Sequence, residues 1–238
     1  DRLRMPVRRV GQEYEEIGWD EAFDEAASRL KDIRDRHGRD SLAVYLGNPS
    51  VHNWGTLLYG PMFLKALAPG NRFSATSVDQ LPHHLAAYLM FGHQLLLPVP
   101  DIDRTDYLLM IGANPLVSNG SLMTVPDVRH RLRELQARDG RLVVVDPRRT
   151  ETASVADEHL FIRPGTDALF LAALVHTLFD EALVRPGRLE PFTDGIHLVR
   201  LHVRPFSPEA VASAVGIEAE RTRAVARDFA TADAAVAY

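Results

Sequence analysis

Apolar positions along this chain fall into short unbroken runs and longer periodic stretches, and the two kinds alternate. Tyr107-Leu108-Leu109-Met110-Ile111 and Leu142-Val143-Val144-Val145 are unbroken, as expected of strands covered on both faces. Leu160-Phe161-Ile162 is a shorter run of that kind. Ser41 to Leu46 reads as another buried strand, ending at the Gly47-Asn48-Pro49 turn. Between the runs, Val128, Leu132 and Leu135 recur at helical spacing, and Ala168 to Phe179 is an almost wholly apolar helix. Strand–helix–strand alternation with buried strands predicts an α/β protein. Its sheet is doubly wound and mostly parallel, with helices on both faces, as in dinucleotide-binding folds.

The flanking pattern is less regular. Val7 to Ile17 reads as a short hairpin or extended arm. A helix starts at Trp19-Asp20-Glu21, buries a face made of Phe23, Ala26, Ala27, Leu30 and Ile33, and ends at Gly38. A second helix runs from about Trp54 to Leu67, broken at Gly60-Pro61; a short strand over 72–77 and a helix from about Pro82 to Phe91 follow. The stretch from Arg185 to Pro205 is loop-like. Ser207-Pro208-Glu209 then opens a helix with a capping serine and a proline in its first turn, and another runs from about Glu218 to Ala230. The expected organisation has residues 1–72 as the first segment of a discontinuous α/β domain and 73–238 as a second α/β domain. The chain opens on Asp1-Arg2-Leu3 and closes on the apolar run Ala234 to Tyr238, so both ends read as cut and a longer natural polypeptide is expected.

Composition narrows the function. A net charge of -5 argues against a surface that grips phosphate backbones, so no nucleic-acid partner is expected. No apolar run approaches the roughly 18 residues that span a bilayer. With no cysteine, the chain itself holds no disulfide, thiolate metal site or cysteine nucleophile. The Gly-x-Gly-x-x-Gly run that a nicotinamide dehydrogenase needs after its first strand does not occur.

In an open parallel sheet, ligands bind beyond the carboxyl ends of the strands, where loops lead into helix N-termini. Three stretches meet that condition. Gly112-Ala113-Asn114-Pro115 follows the first run: Gly112 lets backbone approach a ligand, and Asn114 offers a donor and an acceptor, although a glycine–asparagine turn is also an ordinary turn. Asp146-Pro147-Arg148-Arg149-Thr150 follows the second. A carboxylate there can accept from ribose hydroxyls and an arginine can pair with phosphate; a surface salt-bridge cluster is the bland alternative. Arg163-Pro164-Gly165-Thr166-Asp167 precedes the apolar helix. Thr166 or Asp167 would cap that helix, and Asp167 can also receive the two N–H donors of a guanine edge.

Taken together, the three stretches resemble the molybdopterin oxidoreductase superfamily, which includes dimethyl sulfoxide reductases, periplasmic nitrate reductases and formate dehydrogenases. The matching residues are Gly112 to Pro115, Val144-Val145-Asp146-Pro147-Arg148-Arg149-Thr150-Glu151-Thr152-Ala153, Ala156-Asp157-Glu158-His159-Leu160 and Pro164-Gly165-Thr166-Asp167. Pro6 to Gly11, Ile17 to Ala22, Phe206 to Glu209 and then Gly216-Ile217 match as well, so the resemblance covers nearly the whole chain. It implies that Gly112, Asn114, Asp146, Arg148, Gly165 and Asp167 bind a pterin–guanine dinucleotide, with Ser118 as a phosphate contact. The stretch matching the family's metal-ligand position is Ser77 to Pro82, which implies that Asp79 ligates molybdenum or tungsten; a hard carboxylate oxygen suits either metal, and a helix cap near Pro82 is the competing role. His83 is a candidate proton carrier beside it, weighed against a solvated role, and Gln80 stands where formate dehydrogenases carry histidine. His176, inside the apolar helix, reads as a satisfied core histidine.

The resemblance further implies an oxidoreductase with two pterin–guanine dinucleotides, molybdenum or tungsten, and an iron–sulfur cluster in a segment before Asp1. The implied partners are a small-molecule substrate and an electron-transfer protein or subunit. The expected location is cytoplasmic, with the periplasm left open. The rival implication is a non-catalytic scaffold similar to the large iron–sulfur subunit of respiratory complex I.

Overall fold

A computed structural model describes residues 2–119, 123 and 125–238, and divides the chain into two compact units, Asp1–Leu97 and Pro98–Tyr238. In the first unit, β1 (Val7–Val10) and β2 (Glu13–Glu16) form an antiparallel hairpin with Gly11 at φ 63° in its turn. Arg8 reaches from the hairpin to Glu15 at 2.9 Å and to Glu21 at 2.8 Å, the latter on helix α1 (Trp19–His37), which Gly38 ends by donating to the Arg34 carbonyl. Strand β3 (Ala43–Leu46), helix α2 (Trp54–Leu67) and strand β4 (Asn71–Ser74) make a parallel β–α–β unit. Helix α3 (Leu81–Phe91) follows and stops at Gly92, φ 81°. The expected domain division near residue 72 falls inside β4.

Three expectations about this unit need correction. Pro61 does not break α2: the helix continues through it, because a proline removes a single N–H and Asn53, accepting from the Thr56 N–H at 2.9 Å, secures the helix start. Strand β3 is not buried, and neither is the apolar stripe of α1, where Phe23 remains 64% exposed. Periodicity reports that a face is apolar and says nothing of what covers it.

The second unit carries the main core. Its elements are β5 (Tyr107–Ile111), α4 (Pro115–Ser118), α5 (Val128–Ala137), β6 (Arg141–Val145), β7 (Glu158–Leu160), α6 (Asp167–Asp180), α7 (Ile196–Val203), α8 (Pro208–Val215), α9 (Ala219–Thr231) and β8 (Ala235–Ala237). The four strands form one parallel sheet in the order β7-β6-β5-β8. Side chains alternate across it. Tyr107, Leu109, Val143 and Val145 pack on Phe170 of α6, Val211 and Val215 of α8 and Val225 of α9. Leu108, Met110, Leu142 and Val144 face Val128, Leu132 and Leu135 of α5. Both faces are covered, as the unbroken apolar runs require. Each such side chain, at or near complete burial, contributes about 1.5–3 kcal/mol of transfer free energy. Gly140 has no alternative at the α5–β6 turn, because a Cβ there would lie 2.6 Å from the Leu135 carbonyl oxygen.

Two local expectations shift. The third strand covers Glu158–Leu160, with Ile162 buried just beyond its end. The loop-like stretch contains α7, whose N-cap is Gly195 at φ 81° without a side-chain cap, so the helix carries no capping signal to read.

Candidate functional site

Because β5, β6 and β7 run parallel, the three stretches singled out above emerge on one edge of the sheet. After β5, Gly112 adopts φ 68° and donates to the Val145 carbonyl at 2.9 Å, with open space where a side chain would point. Asn114 then ties this loop to the next. Its Oδ1 accepts from the Thr152 N–H at 3.2 Å and the Thr152 hydroxyl at 2.8 Å, and its Nδ2 donates to Glu151 at 2.8 Å. Thr152, fully buried, also accepts from the Leu116 N–H at 3.2 Å. One Nδ2 hydrogen is therefore what Asn114 retains for a ligand. The amide of Asn114, and after it the backbone N–H of Glu151, hold the Glu151 carboxyl below its ordinary value. Ser118 closes α4 with its hydroxyl 3.3 Å from the Asn114 carbonyl.

After β6, Asp146 is a buried carboxylate whose Oδ1 accepts from the Arg148 N–H at 2.7 Å. Among the described residues no donor reaches its Oδ2. The Asp146 carbonyl lies 3.0 Å from His159 Nε2; a carbonyl only accepts, so that ring nitrogen carries the hydrogen. His159 and Phe161 place their rings 4.2 Å apart beside this turn. Arg148 extends outward with its guanidinium 4.0 Å from Glu151, largely solvated and able to pair with an anion. Buried Thr150 shapes the rest of the loop by accepting from the Ala153 N–H at 3.0 Å.

After β7, the Arg163 N–H is held by the Val215 carbonyl at 2.9 Å, and Gly165 turns the chain at φ 79° with open space at its Cβ position. Thr166 occupies the N-cap of α6, but its hydroxyl donates to the Arg163 carbonyl at 2.7 Å. Among the described residues no side-chain cap hydrogen bond forms at this helix start, so the expected capping by Thr166 or Asp167 is not made. Asp167, half-buried, is the first residue of α6, where the helix dipole favours a negative charge and the first N–H groups have no intrahelical partner.

Asp79 and His83 belong to the first unit. Asp79 follows a short turn after β4, with its N–H bonded to the Ala75 carbonyl at 3.0 Å and its side chain exposed. It does not cap α3: the N-cap is Gln80, with no side-chain hydrogen bond. His83 is exposed on α3, whereas His84 bonds the Gln94 carbonyl at 2.9 Å and His93 accepts from the Leu95 N–H at 3.2 Å. Among the described residues no three His, Cys, Asp or Glu side chains are grouped to hold a metal ion.

Sequence reasoning missed the parts played by Glu151, Thr152 and His159. All three lie within the quoted matching stretches, and their partners are visible only across the sheet edge.

Three loops, the buried Asp146 carboxylate and two left-handed glycines, Gly112 and Gly165, thus lie together at one strand-end edge of a doubly wound sheet. Residues 2–202 match the model of the molybdopterin oxidoreductase family, and the chain belongs to that family. Formate dehydrogenase H of Escherichia coli (strain K12) is 26% identical over 237 residues, which cover 98% of this chain and 32% of that protein. The thiosulfate reductase molybdopterin-containing subunit PhsA of Salmonella typhimurium is 31% identical, over 96% of this chain and 29% of that protein. The solved structure of acetylene hydratase from Pelobacter acetylenicus superimposes with a TM-score of 0.76 and 28% identity, covering all of this chain and 32% of that one. The chain thus spans about a third of the length of these relatives.

Proposed function

We propose that this chain is the part of a molybdenum- or tungsten-dependent oxidoreductase that holds a pterin–guanine dinucleotide at the edge formed by β5, β6 and β7. The observation that carries the reading is the Asp146 turn: a buried carboxylate at a strand end, with Oδ1 fixed by the Arg148 N–H and Oδ2 open. The residues fit such a group. Asp146 accepts from ribose hydroxyls, Arg148 pairs with phosphate, and Asp167 receives the N–H edge of guanine at the start of α6. Gly112 and Gly165 allow close backbone approach, Asn114 offers its remaining N–H, and Ser118 contacts phosphate.

Asp79 supplies a hard carboxylate oxygen to the metal, and His83 carries protons nearby. The bound metal–pterin group supplies two-electron redox or oxygen-atom-transfer chemistry on a small substrate. In this reading the second dinucleotide and an iron–sulfur cluster are held by the remaining polypeptide, and an electron-transfer protein or subunit receives the electrons.

The test is metal and nucleotide analysis of the full-length protein from its natural source. Stoichiometric molybdenum or tungsten, with guanine released on acid hydrolysis, is the expected result. A protein free of both would sink the enzyme reading and leave the scaffold.

A further inference from the structure

A cavity of about 410 Å³ lies at the far end of α6, between its last turns and α7. Its basic wall is one stripe: His197, Arg200 and Arg204 follow at helical spacing on α7 and its C-terminal boundary. His176 and Asp180 of α6 face them. His176 Nδ1 lies 3.1 Å from the Val203 carbonyl and so is the donor, which leaves Nε2 of the neutral ring as an acceptor.

Arginines of the same unit fall into two groups, and Arg129, Arg133, Arg163 and Arg188 are among those with no carboxylate partner among the described residues. Arg141, Arg221, Arg223 and Arg227 each pair with carboxylates. Among the described residues, Arg200 and Arg204 pair with none. The single carboxylate at the rim, Asp180, lies 3.8 Å from Arg223 instead. Nearby backbone acceptors already carry hydrogen bonds: the Val203 carbonyl from His176, the Leu201 carbonyl from the Arg204 N–H and the Phe179 carbonyl from the Ala182 N–H. Two guanidinium forks thus share a cavity with excess positive charge, next to the apolar surfaces of Phe179 and Leu201.

We propose that this cavity binds a small phosphomonoester. Arg200 and Arg204 pair with the phosphate oxygens, because planar forks match a tetrahedral dianion and more than one donor can be engaged at once. His176 bounds the cavity beside them, and the organic part rests on Phe179 and Leu201. The site is separate from the dinucleotide edge: Asp167 and Asp180 mark opposite ends of α6, roughly 20 Å apart at ~1.5 Å per residue.

The experiment is calorimetric titration of the full-length, cofactor-loaded enzyme with phenyl phosphate in a chloride buffer. One saturable site per chain is expected. The double substitution Arg200→Gln/Arg204→Gln should weaken binding by roughly tenfold or more, while Arg188→Gln, away from the cavity, should leave it unchanged. Both cavity arginines are exposed, so the double variant keeps the wild-type unfolding midpoint. Absence of saturable binding by the wild-type enzyme overturns the proposal without reference to any variant. Wild-type affinity in the double variant overturns it as well.

Discussion

Asn114 Oδ1 receives two hydrogen bonds from Thr152, one from its backbone nitrogen at 3.2 Å and one from its hydroxyl at 2.8 Å. That pair joins the loop after β5 to the loop after β6 at a residue with no solvent exposure. Asn114→Ala should leave the Thr152 donors unpaired in a buried position, at a cost of about 1–3 kcal/mol. Denaturant unfolding of the full-length protein measures it. An unchanged midpoint would show that the loops do not depend on this tie.

Asp146→Asn retains an oxygen for the Arg148 N–H and removes the charge. Stability should change little, while the guanine nucleotide content of the purified protein should fall about ten- to a hundredfold, the worth of a charge-assisted hydrogen bond. If the nucleotide content matches wild type, the carboxylate is not a nucleoside contact.

Asp79 is exposed and does not cap α3, so Asp79→Ala should shift stability by no more than about 0.5 kcal/mol. X-ray absorption at the metal edge should then show the loss of an oxygen neighbour. A coordination shell identical to wild type would remove Asp79 from the ligand set.

Acid stability should depend on Glu181. Hydrogen bonds from Arg227 at 2.7 and 2.8 Å, and then the charges of Arg227 and Arg223, hold its carboxyl below the ordinary 4.5. A depressed folded-state value stabilises the protein above the unfolded value, and that contribution is lost as pH falls from about 4.5 toward the folded value. Glu181→Gln should therefore be less stable at neutral pH and lose less stability on acidification. Parallel pH profiles for the two proteins would contradict this.

Much of the second unit was legible in the chain itself. The runs at 107–111 and 142–145 have the composition that only doubly covered strands tolerate, and the residues that follow them stand at strand ends wherever the sheet places its neighbours. The first unit was less legible. Its elements occur near where periodicity puts them, yet Phe23 and β3 are exposed because burial needs a partner surface and periodicity identifies none. Pro61 misled in the other direction, since the rest of α2 outweighs one missing hydrogen bond. Helix α7 escaped notice for lack of a capping residue.

Sequence alone determined the α/β class, the helical stripe of Val128, Leu132 and Leu135, and the positions of Gly112, Asp146 and Gly165 at the ends of apolar runs. These follow from local conformational preference and from the cost of leaving apolar surface in water. Tertiary structure decided the strand order β7-β6-β5-β8, the commitment of Asn114 to Thr152 and Glu151, and the turn of Thr166 toward Arg163 in place of a cap. It also decided that Arg200 and Arg204 share a cavity with His176 and Asp180 of α6. A side chain's partner is set by which neighbour completes its hydrogen bonds at least cost, and those neighbours come from segments far away along the chain.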